Sequence, residues 1–149
     1  MTIPAAIPLP IIGSAVLAAS YCDIRFRTIP QWLAVVISVA GVAGQTIGSG
    51  WPGLFSAVEA GTLALLVLGV LYLAGAMGGG DVKLFASISC AVGMNELWVF
   101  GRITGVLGAL LALFYLAGGA RWFGDARRAL PYGVAVGAAG IITLIWFRQ

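Results

Sequence analysis

Long apolar runs and short polar breaks alternate along the whole chain. The runs extend roughly from Ile3 to Tyr21, Pro30 to Ile47, Leu54 to Ala76, Leu97 to Ala117 and Leu130 to Phe147. A shorter one begins near Val82 and stops around Gly93-Met94-Asn95-Glu96. A stretch of about 20 apolar residues is what a helix needs to cross about 30 Å of hydrocarbon. The pattern therefore predicts an all-α, polytopic membrane protein of about six transmembrane helices, organised as a single domain over residues 1–149. The Val82 run is the exception, since it amounts to only about 18 Å at 1.5 Å per residue.

The breaks agree with this division. Ser49-Gly50-Trp51-Pro52-Gly53 reads as a turn with Trp51 as an interfacial anchor. Pro30 suits the first turn of a helix, where a missing N–H costs least. The first run lacks the basic flank of a secretion signal and is expected to be a helix of the mature protein. Glycine pairs at Gly44/Gly48, Gly101/Gly105 and Gly133/Gly137 have the spacing that lets membrane helices approach, and are expected to serve packing.

Composition sharpens the picture. The 149 residues are 61% hydrophobic and 9% charged, with a mean hydropathy of +1.06. Soluble domains carry about 25% charged residues. The net charge of +3 reflects orientation. Arg25, Arg27, Lys83, Arg121, Arg127 and Arg128 fall in breaks on one side, and only Arg102 and Arg148 fall towards the other. By the excess of basic residues on the cytoplasmic side, the Asp23 and Asp81 breaks face the cytoplasm and both termini face out. No basic stripe interleaved with aromatics points to nucleic acid.

Histidine is absent. That excludes Ser–His and Cys–His hydrolases and His-ligated zinc proteases. Cys22 and Cys90 form no CxxC pair and read as small packing residues, so no metal or cofactor is expected. Acid–base chemistry is left to five carboxylates. Glu96 is expected in a solvated outer loop, Asp125 among Arg121, Arg127 and Arg128, and Glu59 within a span where it could pair with Arg102. Asp23 and Asp81 differ, because each closes an apolar run on the same side with a cation two residues on, Arg25 and Lys83. Each could instead be a helix cap, Asp81 above all. Gly78, Gly79 and Gly80 before Asp81 offer positive φ and a bare backbone against which an extended peptide could lie.

These residues carry a resemblance. Gly78-Gly79-Gly80-Asp81 with Lys83 is similar to the GxGDxK motif of the type IV prepilin peptidases, membrane aspartic proteases. Asp23-Ile24-Arg25-Phe26-Arg27-Thr28-Ile29-Pro30 resembles that family's D-x-R-x-x-x-I-P motif, and Pro131-Tyr132-Gly133 its proline–aromatic–glycine element. Gln31 stands where the family often has Asn. The resemblance implies that Asp23 and Asp81 are the catalytic pair, with Gly78, Gly79, Gly80, Lys83, Arg25, Pro131, Tyr132 and Gly133 around them as loop or substrate-binding residues. It implies a prepilin or pseudopilin substrate cut on the cytoplasmic face of a prokaryotic inner membrane, with pilus assembly machinery as a further partner. No zinc-binding cysteine insertion is present, so the chain looks like the short form associated with tight-adherence (Flp-type) pili, without methyltransferase activity. Two other readings use the same residues. One is a small ion-coupled transporter with Asp23, Asp81 and Glu59 as its path. The other is an assembly subunit whose aspartates only cap helices.

Overall fold

The computed structural model describes residues 8–26, 29–75, 77–117 and 132–146. Among these the structure is helical throughout, with no strand. The helices are α1 (Pro8–Phe26), α2 (Gln31–Leu73), α3 (Gly79–Val92), α4 (Leu97–Leu116) and α5 (Tyr132–Trp146).

The runs expected at Pro30–Ile47 and Leu54–Ala76 join into the 43-residue α2. The expected five-residue turn contracts to one non-helical residue, Gly50, at φ 64° and ψ −142°. Pro52 follows within the first turn of the second leg, where its missing N–H and fixed φ are tolerated. The two legs lie side by side in opposite directions. Gln31 reaches Lys83 and Tyr72 lies against Gly79, both near the start of α3. Gln45 and Ser56 both meet the far end of α3, at Ala91 to Met94.

Helix α3 is the centre of the bundle. Its 14 residues give about 21 Å, short of a hydrocarbon core of about 30 Å. Nine of them are buried, including Leu84 and Ile88 at 0% exposure. Small residues let its neighbours close in. A Cβ on Gly41 would sit 2.6 Å from the Ala91 backbone, and one on Gly61 would overlap the Cys90 sulfur. One on Gly140 of α5 would meet Ile88 at 2.7 Å. Phe85 stacks on Phe100 of α4 with ring centroids 4.4 Å apart.

The contacts set the direction of each helix. Val16, Ser20 and Asp23 of α1 face Gly137 and Gly133 of α5 in reverse order, so these two helices are antiparallel. Tyr132 packs over Gly108 of α4, while Thr143 and Leu144 lie beside Ala91 and Val92. One end of the bundle thus gathers Asp23, Gln31, Tyr72, Asp81 and Tyr132, and the other gathers Gln45, Ser56, Gly93 and Thr143.

Two helices are long and apolar enough to cross a membrane, Gln31–Leu73 and Leu97–Phe114, and Tyr132–Trp146 is a shorter apolar one. Their outer faces are apolar too: Leu66 is 64%, Leu73 84% and Leu116 84% exposed. A surface of this kind suits hydrocarbon and would be costly in water.

The glycine pairs divide. Gly133 and Gly137 pack against α1, as expected of close-approach residues. Gly101 and Gly105 do not pack: a Cβ on either would meet nothing within 4 Å. The expected Glu59–Arg102 pair is replaced by an exposed Glu59 and by Arg102 Nε donating to the Trp98 carbonyl at 3.4 Å.

Candidate functional site

Asp23 belongs to helix, not to the polar break expected there. Nothing in Tyr21-Cys22-Asp23-Ile24-Arg25-Phe26 stops a helix, and Arg25 in the last turn complements the helix dipole. Helix α1 therefore runs past the apolar segment and carries Asp23 against α5. The Asp23 side chain is 7% exposed, and its Oδ2 accepts the Gly133 N–H at 3.0 Å. A Cβ on residue 133 would sit 2.8 Å from that oxygen, so only glycine lets the start of α5 come this close.

Asp81 stands in the first turn of α3, outside the two segments long enough to span a membrane. It is not the N-cap. That position belongs to Gly78, at φ −73° and ψ 141°, and no side-chain hydrogen bond caps the helix. The Asp81 Oδ2 lies over Gly78, 3.0 Å from where a Cβ would be. Burial, with the nearby Asp23 charge second, pushes the Asp81 carboxyl up from 3.8 to about 6.

The three glycines do not adopt the positive φ expected of them. Gly79 and Gly80 are the first two residues of α3, and the positive-φ glycines among the described residues are Gly50, Gly75 and Gly93. Small size is what this stretch uses. Gly79 takes the Tyr72 ring at 3.2 Å and Gly80 takes Ile29 at 3.6 Å, each measured from where a Cβ would be.

A cleft of about 560 Å³ opens beside Asp81 between the second leg of α2, α3, α4 and α5. Leu68, Leu71, Phe85 and Tyr132 give it apolar walls, and Gly101 and Gly105 with Thr104 between them form the α4 side. The α4 residues were not anticipated as part of a site. The signal that could have raised them is a glycine pair that packs against nothing, and that is visible only in three dimensions.

Lys83 is two residues from Asp81 and so points away from it, as residues i and i+2 on a helix do. Its Nζ donates to Gln31 Oε1 at 3.4 Å. Arg25 is exposed at the end of α1. Pro131 lies outside the described residues, as do Arg27, Arg121, Asp125, Arg127 and Arg128. Among the described residues no three His, Cys, Asp or Glu side chains converge as a metal site would require. An ion path would need Glu59 in the interior, and Glu59 is exposed.

The arrangement puts two carboxylates from remote parts of the chain at one end of the bundle, one buried and anchored, the other raised in pKa at the edge of an apolar cleft. Two coupled acids that share a proton can activate a water and protonate a carbonyl.

Comparison with known proteins agrees on the class of molecule. The profile of the type IV leader peptidase family matches residues 10–113. The chain is 28% identical over 142 residues to the prepilin leader peptidase/N-methyltransferase of Bacillus subtilis (strain 168). That alignment takes in 93% of this chain and 55% of the relative, so the chain spans about half the relative's length. No solved structure gives a significant match.

Proposed function

The chain belongs to the type IV leader peptidase family, and from that premise we propose that it is a membrane aspartic endopeptidase that removes the leader of a type IV (Flp-type) prepilin or pseudopilin. The observation that supports the proposal is that Asp23, held against the start of α5, and Asp81, in the first turn of α3, stand at the same end of the bundle. Two neighbouring carboxylates do not both ionise cheaply, so such a pair holds one proton between its two members. One member takes a proton from water and the other hydrogen-bonds the scissile carbonyl.

In this reading α1, the two legs of α2, α3, α4 and α5 are six passes of one domain in an inner membrane. Both termini are outside, and the carboxylate end faces the cytoplasm, in keeping with the basic residues at its breaks. A prepilin offers a short polar leader followed by an apolar helix. The cleft beside Asp81 has the matching character, with a carboxylate at its edge and apolar walls running along α4. Methyl transfer, present in the name of the longer relative, is not part of the proposal.

The test is co-expression with a candidate prepilin, scored by the mass of the pilin N-terminus. The leader should be lost with the native chain and retained with Asp23→Asn or Asp81→Asn, while each variant still inserts in the membrane. Normal cleavage by either variant would refute the pair.

A further inference from the structure

We propose that the groove between the two legs of α2 is a binding site for an anionic phospholipid, with the lipid phosphate at Lys83 and one acyl chain lying along the groove. It is separate from the cleft beside Asp81, since Asp81 and Lys83 point to opposite sides of α3. The proposal needs the chain to lie in a bilayer and does not need it to be a peptidase.

The groove has a volume of about 460 Å³, with α3 as its floor. Its rim is apolar and open: Val35 and Val39 of the first leg and Val58 and Leu65 of the second line it and are exposed. Two hydroxyls on its walls are turned back to their own helices. Ser38 Oγ donates to the Ala34 carbonyl at 2.9 Å, and Ser87 Oγ to the Lys83 carbonyl at 2.7 Å. The lining left over suits hydrocarbon.

Length and level select the occupant. The groove follows the first leg from Gln31 to Val42, about 16 Å of helix. One leaflet supplies about 15 Å, half of a hydrocarbon core of about 30 Å. The exposed Trp32 and Trp51 mark the two ends of the same leg, about 28 Å apart, which is the spacing of the two membrane interfaces. The mouth of the groove at Gln31 therefore lies at headgroup level and its far end at Val42 near the midplane. An acyl chain has that reach. A second helix does not fit, because about 16 Å of helix about 10 Å across fills more than about 1000 Å³.

The mouth carries the charge. An ammonium has three donors, and Lys83 Nζ gives one of them to Gln31 Oε1 at 3.4 Å. The others, with the amide N–H groups of Gln31 beside them, are there for phosphate oxygens. Among the described residues no carboxylate lines the groove. A zwitterionic headgroup would bring its own cation to Lys83, whereas an anionic one brings only the complementary charge.

The test is native mass spectrometry of the chain released from nanodiscs that hold phosphatidylglycerol and phosphatidylcholine in equal amounts, with the same acyl chains. The native chain should keep phosphatidylglycerol in preference. Lys83→Gln should lower that preference about five-fold, the worth of one cation beside an anionic lipid, and Lys83→Arg should preserve it. Val39→Trp places an indole in the groove from an exposed position, so the fold should tolerate it, and the retained phosphatidylglycerol should be lost. Equal retention of the two lipids by the native chain would overturn the proposal, as would an unmoved preference in Lys83→Gln. Full retention by Val39→Trp would mean that the headgroup alone is held, and would overturn the groove as the seat of the acyl chain. None of these measurements reads leader cleavage, so the site and the peptidase reading stand or fall separately.

Discussion

At the end of the bundle that holds Gln45, neutral side chains meet the backbone where α3 closes. Gln45 Nε2 donates to the carbonyls of Ala91 at 2.9 Å and Val92 at 3.0 Å, two of the last carbonyls of α3. Ser56 Oγ accepts the Met94 N–H at 2.8 Å. Gly93 turns the chain at φ 83°, with Gln45 and Ser56 around it. At the opposite end, Asp23 is buried against the start of α5 and Asp81 is raised in pKa beside an open cleft. Both ends close the same short helix. One uses amide and hydroxyl groups to satisfy backbone that would otherwise be costly in an apolar setting. The other keeps two acids in mutual repulsion, an arrangement that costs stability and is the usual condition of a site that does chemistry.

The contrast can be tested by changing each end in turn. The largest effect is expected at the acids. Asp23→Asn and Asp81→Asn should each lower leader cleavage by at least about 1000-fold, measured by single-turnover assay, with the helical circular dichroism unchanged. Next in size is the opposite end, where Gln45→Ala leaves two α3 carbonyls without their partner. It should lower stability by about 2 kcal/mol in reversible unfolding from detergent, and the pH profile of cleavage should stay in place. A shift of that profile would mean the two ends are coupled through α3 and would break the distinction.

The cleft gives a smaller and more specific effect. Gly105→Leu adds a side chain where nothing lies within 4 Å, so the fold should tolerate it. If the cleft seats the apolar helix of the substrate, KM should rise by about 10-fold with Tm unchanged.

The smallest effect is a gain. The folded-state pKa of Asp81 is raised from 3.8 to about 6. The folded protein therefore binds the proton more tightly than the unfolded chain, and this contribution is fully present below pH 3.8 and is lost as pH rises through about 6. Asp81→Asn should remove that loss. Above pH 6 the variant should be more stable than the parent by about 1 kcal/mol, a figure reduced for the partial solvent exposure of the group. A thermal scan across pH 4 to pH 7, about three units of range, reads the difference as a flatter dependence in the variant.

Much of this was legible in the sequence because hydrophobic periodicity fixes where helices lie. The run beginning at Leu97 predicts α4 to within a residue at its end. The short run near Val82 is a short helix in the structure. The boundaries that failed did so for local reasons. The charges of Asp23 and Arg25 look like the start of a loop, yet nothing from 23 to 26 breaks a helix, and α1 continues through to Phe26. The stretch from Ser49 to Gly53 looks like an open turn, yet Gly50 alone makes the reversal. At the site, motif spacing singled out Asp23, Asp81 and Gly133, but no spacing can show that a backbone N–H of one reaches the carboxylate of another 110 positions away. The α4 wall of the cleft was read as packing surface, because a glycine pair in contact and a glycine pair left open have the same sequence.

Gly50 has a consequence that reaches the acids although it touches neither. Its φ of 64° and ψ of −142° are the mirror image of the extended, polyproline-like backbone that ordinary residues favour. Space is no obstacle there, since nothing lies within 4 Å of a Cβ. The obstacle is handedness. A D-alanine at position 50 should fit without strain where L-alanine would resist, so the return of the second leg, and with it the delivery of Tyr72 and Asp81 to the end where Asp23 waits, depends on the one achiral amino acid standing at the bend.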